Sequence, residues 1–326
     1  MAADGIERSE GAVWSGMQRV LVRFLFCYFV LYYGPTLLGA VPGAGFLVEW
    51  SSLLRDKLVG LVMVHVVGLD SYQPQFSGSG DTAAGYLVQI TILVAACGGT
   101  LVWSWLERSR TRSVRLRGWL HVLARYALAS SLIDYALVKI IPVQFSHLQA
   151  RQLAESYGQS SPMALLWNFM GFSTAYTVFG GMAELVPAML LLFRRTALAG
   201  ALIAFGVLLN VVMLNFCYDV PVKLYSLNLL LLSVFLVLPE SGRLLRVFVL
   251  NRPVPAMDLG APVIKNTRVR DGATLLKYLC ILFLIGGTAL GSVKRYQEMV
   301  AARAEPASTP LTSRGFHWVQ EYPYRR

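Results

Sequence analysis

The sequence predicts an all-α, polytopic membrane protein with about seven transmembrane helices. Three observations carry that prediction. Hydrophobic residues make up 56% of the 326-residue chain and charged residues only 14%, with a mean hydropathy of +0.54. A soluble domain of this length needs more charge to cover its surface. Several apolar runs approach the roughly 20 residues a helix needs to cross hydrocarbon. The net charge of +11 gathers in short loops beside those runs. That is the positive-inside pattern of membrane proteins, not a nucleic-acid face, and it implies a lipid bilayer as partner.

The spans are expected at 20–41, 84–106, 119–141, 174–193, 196–217, 221–238 and 274–292. The first run is too long for the apolar core of a signal peptide, and the segment before it mixes acids and bases, so it is kept as a span. Residues 46–67 are also apolar, but Glu49, Arg55, Asp56 and Lys57 interrupt them. They predict a helix lying at the membrane interface. Basic residues fill three loops: Arg108 to Arg117, Arg194 with Arg195, and Arg243 to Arg270. With seven alternating spans these loops share the cytoplasmic side, placing the N-terminus inside and the C-terminus outside. The opposite loops, 42–83, 142–173 and 218–220, are poor in Lys and Arg. Two of them have legible local structure. "FSGSGDTAAGY" (76–86) is a Gly-Ser turn ending in Asp81-Thr82, which predicts a cap for the second span. It lacks the spacing and Lys of a phosphate-binding loop. In "SSPMALLWNFMGFS" (160–173), Ser161 is a cap and Pro162 the first helical residue of a short helix lying flat on the outer surface, with Trp167 at interface depth.

The four Cys (27, 97, 217 and 280) form no C-x-x-C pair and are expected to be buried small hydrophobes. The four His show no metal-ligand spacing, and no metal site is predicted.

Spans three to six carry polar groups that hydrocarbon makes costly. Asp134, Glu184, Asn210 and Asn228 each lie seven to ten residues from the outer end of their helix. At a rise of about 1.5 Å per residue they share a depth of about 10–15 Å, and a common pocket is expected if the four helices pack together. Asp134 and Glu184 are the candidate catalytic carboxyls. Lys139, Asn210, Asn215, Asp219, Lys223 and Asn228 are candidate ligand-binding groups. Asn215, Tyr218 and Asp219 share a face if the helix persists. Asp134 and Lys139 are five apart, about 140° around the helix, so they do not pair. Lys139 is expected to lift its ammonium to the interface. In "CYDVPVK", Asp219 is expected to cap the next helix, Pro221 to open it, and Lys223 to snorkel. Pro187 is expected to kink the helix beside Glu184.

"DYALVKIIPVQF" and "AYTVFGGMAELVPAMLLLFRRTALAGALIAFGVLLNVVMLN", followed by a closing apolar helix, resemble the four-helix core of DoxX-like membrane proteins. The resemblance covers 119–238, with 1–118 and 239–326 as flanks. It aligns Lys139 with a Lys near the outer end of the first core helix, and Glu184, Arg194 and Arg195 with the Glu and basic turn of the second. It implies a bacterial inner-membrane location, a quinone-linked redox setting and a redox partner protein. Some relatives carry a small β domain after the last span. The roughly 30 residues that follow it here are too few for one. The terminal "GFHWVQEYPY" is expected at the outer interface.

Three functions fit these readings. A quinone-linked redox subunit would use Asp134 or Glu184 for the proton. A proton-coupled transporter for a small solute would use the same carboxyls. A non-catalytic scaffold would use the polar layer only to lock helix packing.

Overall fold

Apolar segments in lipid must satisfy their own backbone N–H and C=O groups, and the described residues of this chain do so with helices. The computed structural model describes residues 16–66, 68, 80–107, 112–145, 147–148, 150–255 and 266–304. Expectations that touch residues 1–15, 76–79, Arg108, Arg110, Lys265 or the aromatic tail lie outside the described residues. In chain order the helices are α1 (Gly16–Gly39), α2 (Gly45–His65), α3 (Ala83–Leu106), α4 (Arg112–Ile140), α5 (Ala150–Ala154), α6 (Pro162–Phe172), α7 (Thr174–Leu192), α8 (Ala197–Cys217), α9 (Lys223–Val237), α10 (Ser241–Phe248) and α11 (Thr267–Ala304). No strand occurs among the described residues.

Among the described residues, six segments are long and apolar enough to cross a membrane: α1, α3, α7, α8, the run Lys223–Phe248 and Thr267–Ala301. Helix α4, expected as the third span, is 29 residues long but is not one of them, because Arg125, Asp134 and Lys139 interrupt its apolar character. It occupies the centre of the bundle instead. Leu120, Ala124, Ala127, Leu128, Ala129, Leu132, Ile133 and Ala136 are all closed off from the surface. Helix α4 packs against α7, α1, α11 and α9, while α7 packs on α8 and α8 on α9. Helices α4, α7, α8 and α9 therefore close a ring. Helix α1 lies against α4 and carries α3 and α2 on its other sides.

Small residues set the closest approaches, as in helix pairs that lack a hydrophobic driving force. A Cβ on Gly181 of α7 would sit 2.8 Å from the carbonyl oxygen of Ala136 in α4. A Cβ on Gly200 of α8 would sit 2.9 Å from the carbonyl oxygen of Pro187 in α7. Pro187 itself is buried within α7.

Several helix ends follow from caps. Ser161 accepts from the N–H of Ala164 at 3.1 Å, with Pro162 in the first turn, as its sequence predicts. Thr82 caps α3 through the N–H of Gly85 at 3.0 Å. The ring of Trp167, expected at the interface, packs edge-on against Phe145. Helix α11 has 38 residues and outruns the expected span 274–292 at both ends; at its C-terminal end good helix formers continue past the apolar stretch. Helix α2 forms where an interfacial helix is expected; it packs on α1 and α3 and buries Val59 and Met63. The cysteines depart from expectation. Cys97 and Cys217 are exposed on the bundle's outside, and Cys27 and Cys280 are half-buried. A helix facing lipid has no polar side to keep a small apolar thiol away from.

Gly181→Ala forces α4 and α7 apart and should cost about 1–3 kcal/mol. Thermal melting in detergent should show the loss, whereas Gly98→Ala, with nothing within 4 Å of its added methyl, should leave the melting temperature in place.

Candidate functional site

Ala136 faces Gly181, and Arg125 reaches Leu191, so α4 and α7 run antiparallel. Side chains on a helix lean toward its N-terminus. Lys139, one turn beyond Ala136, therefore leans back toward the crossing, and Glu184, one turn beyond Gly181, leans back from the other side. They meet. The Lys139 ammonium donates to both Glu184 oxygens, at 2.7 and 2.6 Å, and also lies 5.5 Å from the centre of the Tyr135 ring one turn earlier. The side chains are only 11% and 5% exposed. The expectation that Lys139 lifts its charge to the interface is thus corrected: a carboxylate held at the Gly181 crossing outcompetes water.

Asp134 faces a different neighbour. Its Oδ1 accepts from the Thr288 hydroxyl of α11 at 2.7 Å. Asp134, Tyr135, Val138, Gly287, Thr288 and Arg295 line a side groove of about 470 Å³ between α4 and α11. Asn228 faces a third way. Its Oδ1 accepts from the Tyr28 hydroxyl of α1, and its amide donates to the Leu224 carbonyl at 2.9 Å and to Gln89 Oε1 of α3 at 3.4 Å. Gln89 Nε2 donates to the Tyr28 oxygen at 2.7 Å, closing a triangle across α1, α3 and α9. Beside it, Tyr225 and Ser131 share a hydrogen bond of 2.8 Å between α9 and α4. Asn210 is exposed on the outside of α8.

The common pocket expected for Asp134, Glu184, Asn210 and Asn228 is therefore not formed. Equal depth fixes height but not azimuth, and these four groups point in four directions. The partners that sequence reading missed are Tyr28, Gln89, Ser131, Tyr225 and Thr288. Gln89 alone carried a signal, as an isolated amide inside an apolar run; a hydroxyl in an apolar helix carries none.

The turn between α8 and α9 is held from outside. Pro221 O accepts from the N–H groups of Gly80 and Asp81, at 2.8 and 3.2 Å. The Asp81 carboxylate accepts from the N–H groups of Lys223 and Leu224, at 2.7 and 3.1 Å. Asp81 is thus the cap of α9, from 142 residues away, while Thr82 caps α3. This corrects the expectation for Asp219, which sits in left-handed backbone at φ 52° with its side chain 82% exposed. The helix ends at Cys217, so Asp219 does not share a face with Asn215. Its carboxylate takes the Lys223 ammonium at 2.6 Å. Asn215 is buried and donates to Ser226 Oγ at 2.9 Å, tying α8 to α9 below the turn.

Replacing Glu184 with Leu strands the Lys139 ammonium and should destabilise the fold by about 3–5 kcal/mol. The double variant Lys139→Met/Glu184→Leu should recover most of that loss, as read by thermal melting. Asp81→Ala should cost about 1–2 kcal/mol through the lost cap, whereas Asp219→Ala should leave the melting temperature unchanged.

No family model matches the chain, and no solved structure matches it. Over 124 residues it is 31% identical to the uncharacterized protein YwoB of Bacillus subtilis, a match that spans 38% of this chain and 79% of that relative. With that much of the relative matched at this identity, the chain belongs to the same family as YwoB.

Proposed function

We propose that this multi-pass membrane protein holds a lipid-soluble quinone in the side groove between α4 and α11, as one subunit of a redox assembly. One observation carries the reading: Asp134, a carboxyl expected at membrane depth, lines a groove between α4 and α11. Ionisable groups at such depth are costly and mark ligand or proton sites. The volume of about 470 Å³ falls in the range of small-molecule pockets, about 300–1,000 Å³.

The residues present suit the ligand. Arg295 and Tyr135 offer donors for carbonyl oxygens, and Asp134 offers a carboxyl that can give or take a proton. When bound, a quinone supplies a two-electron, two-proton couple, with the electrons passed to or from a partner redox protein. Asp134 exchanges a proton at its free Oδ2, while the Thr288 hydroxyl fixes Oδ1. Arg295 orients the ring. Glu184, its carboxylate occupied by Lys139, is a positioning residue that keeps α4 seated on α7. The resemblance of 119–238 to the DoxX-like core points the same way.

A second reading, a non-catalytic scaffold, is favoured by a separate observation. The Lys139–Glu184 pair and the Tyr28–Gln89–Asn228 triangle are satisfied within the bundle and need no ligand.

Protein purified in mild detergent should release quinone on solvent extraction. A quinone added at about 100 times its dissociation constant should stabilise the protein by about 2.7 kcal/mol. Asp134→Asn and Thr288→Val should weaken that shift while the fold persists. A quinone shift that is absent, or as large in both variants as in the unsubstituted protein, leaves the scaffold reading.

A further inference from the structure

Helices α4 and α11 run parallel. The Lys277 ammonium lies 5.9 Å from the centre of the Tyr126 ring, and Thr288 bonds Asp134 further along both helices. The face of α11 that meets Asp134 changes character at that contact. One and two turns before Thr288 it presents Leu284 and Ile281, both packed against the apolar core. One and two turns after Thr288 it presents Ser292 and Arg295. Helix α4 shows the same asymmetry. On the Arg125 side of Asp134, Ala127, Ser130, Ser131 and Ile133 are all closed off from the surface. The hydroxyls of Ser130 and Ser131 are already committed, to the Ala127 carbonyl and to Tyr225. These residues leave a water little to bond between Asp134 and the Arg125 end.

The other direction differs. Ser292 is 0% exposed, and its Oγ has no hydrogen-bond partner among the described residues. An enclosed hydroxyl left unpaired is unfavourable, and a buried water that bonds it removes the penalty. Such a water needs further polar partners. Thr288, one turn earlier, keeps oxygen lone pairs after donating to Asp134. Arg295, next on the same face, is exposed and lines the groove together with Asp134. Seven residues, about 10 Å of helix, separate Thr288 from Arg295. We propose that water enters the α4–α11 groove along Arg295, Ser292 and Thr288, and that Asp134 exchanges its proton only with the end of the bundle where α4 finishes. In each exchange the O–H bond of the protonated carboxyl breaks and a water takes the proton. The carboxylate left behind takes one back from the same waters, and nothing is oxidised or reduced. Arg295 is a positioning residue that donates to the waters at the mouth. The inference rests on reading Asp134 as a proton-exchanging carboxyl and gives that exchange a direction; it does not require the quinone.

Silver ions test the path, because they bind thiolates, follow water and do not cross lipid. The full chain, with its four cysteines replaced by Ala, is reconstituted in vesicles of one predominant orientation. Single cysteines are then returned one at a time. Asp134→Cys and Thr288→Cys probe the groove. Asp219→Cys, at the α8–α9 turn, reports the end where α4 finishes, and Arg195→Cys reports the opposite end; both positions are exposed. Silver is added outside, the protein is denatured, and a fluorescent maleimide counts the thiols left unblocked. Asp134→Cys and Thr288→Cys should be blocked to the same fraction as Asp219→Cys, and not as Arg195→Cys. Adding Ser292→Ala should slow the block at position 134 about tenfold, through the loss of one hydrogen-bond partner for water. Adding Ser130→Ala removes a hydroxyl on the other side of Asp134 and should leave the rate unchanged. A block that follows Arg195→Cys, one that is equal from both sides, or none at either groove position in protein that still melts cooperatively overturns the path. Equal effects of Ser292→Ala and Ser130→Ala overturn it too. A one-sided block in protein that shows no quinone shift keeps the path and removes the quinone; a two-sided block with a quinone shift does the reverse.

Discussion

Helix α4 carries an arginine, an aspartate and a lysine through the middle of an apolar bundle, and the other helices are arranged to receive them. Arg125 ends on the carbonyls that close α7. Asp134 ends on Thr288 of α11. Lys139 ends on Glu184 of α7. Buried charges left unpaired are so unfavourable that each of these contacts restricts where α4 can lie. Helix α7 is gripped at two points, about 12 Å apart on a rise of 1.5 Å per residue, by Arg125 near its end and Lys139 near its middle. Gly181, one turn before Glu184, admits the close approach they require. Register, spacing and direction of the α4–α7 pair follow together.

The flanking helices join this core by polar contacts of a different kind. The triangle of Tyr28, Gln89 and Asn228 links α1 and α3 to α9 deep in the bundle. Asp81 and Gly80 link the start of α3 to the start of α9 at its rim. Neutral amides and hydroxyls serve in the interior, where an isolated charge would cost more. A carboxylate serves at the rim, where it complements the positive end of a helix. The two contacts sit at different heights on the same pair of helices and so fix tilt as well as position.

Satisfied polar groups and available ones are separated in space. The Lys139–Glu184 pair is enclosed and serves packing. Asp134, from the same helix, lines an open groove with a guanidinium, a phenol and a hydroxyl within the same lining. The five-residue spacing between Asp134 and Lys139 turns them about 140° apart, and that rotation divides a structural acid–base pair from a candidate ligand site. The far end of α7 is a third environment, where Arg125 and Lys277 donate to the Leu191 and Leu192 carbonyls.

Composition and apolar run length were enough to establish an all-helical, multi-pass architecture and the place of each long helix, because lipid imposes helicity on any apolar run of sufficient length. Local caps at Thr82 and Ser161 were legible for the same reason: a cap acts over three residues. The polar residues of α4, α7 and α9 could be ranked by depth, since rise per residue is constant. Their partners could not. Whether Asp134 meets Glu184 or Thr288, whether Asp219 or Asp81 caps α9, and whether Asn210 turns inward depend on azimuth and on contacts between residues up to 154 positions apart. Those are set by which helices pack together and by where a glycine lets them touch, and only the assembled bundle decides that.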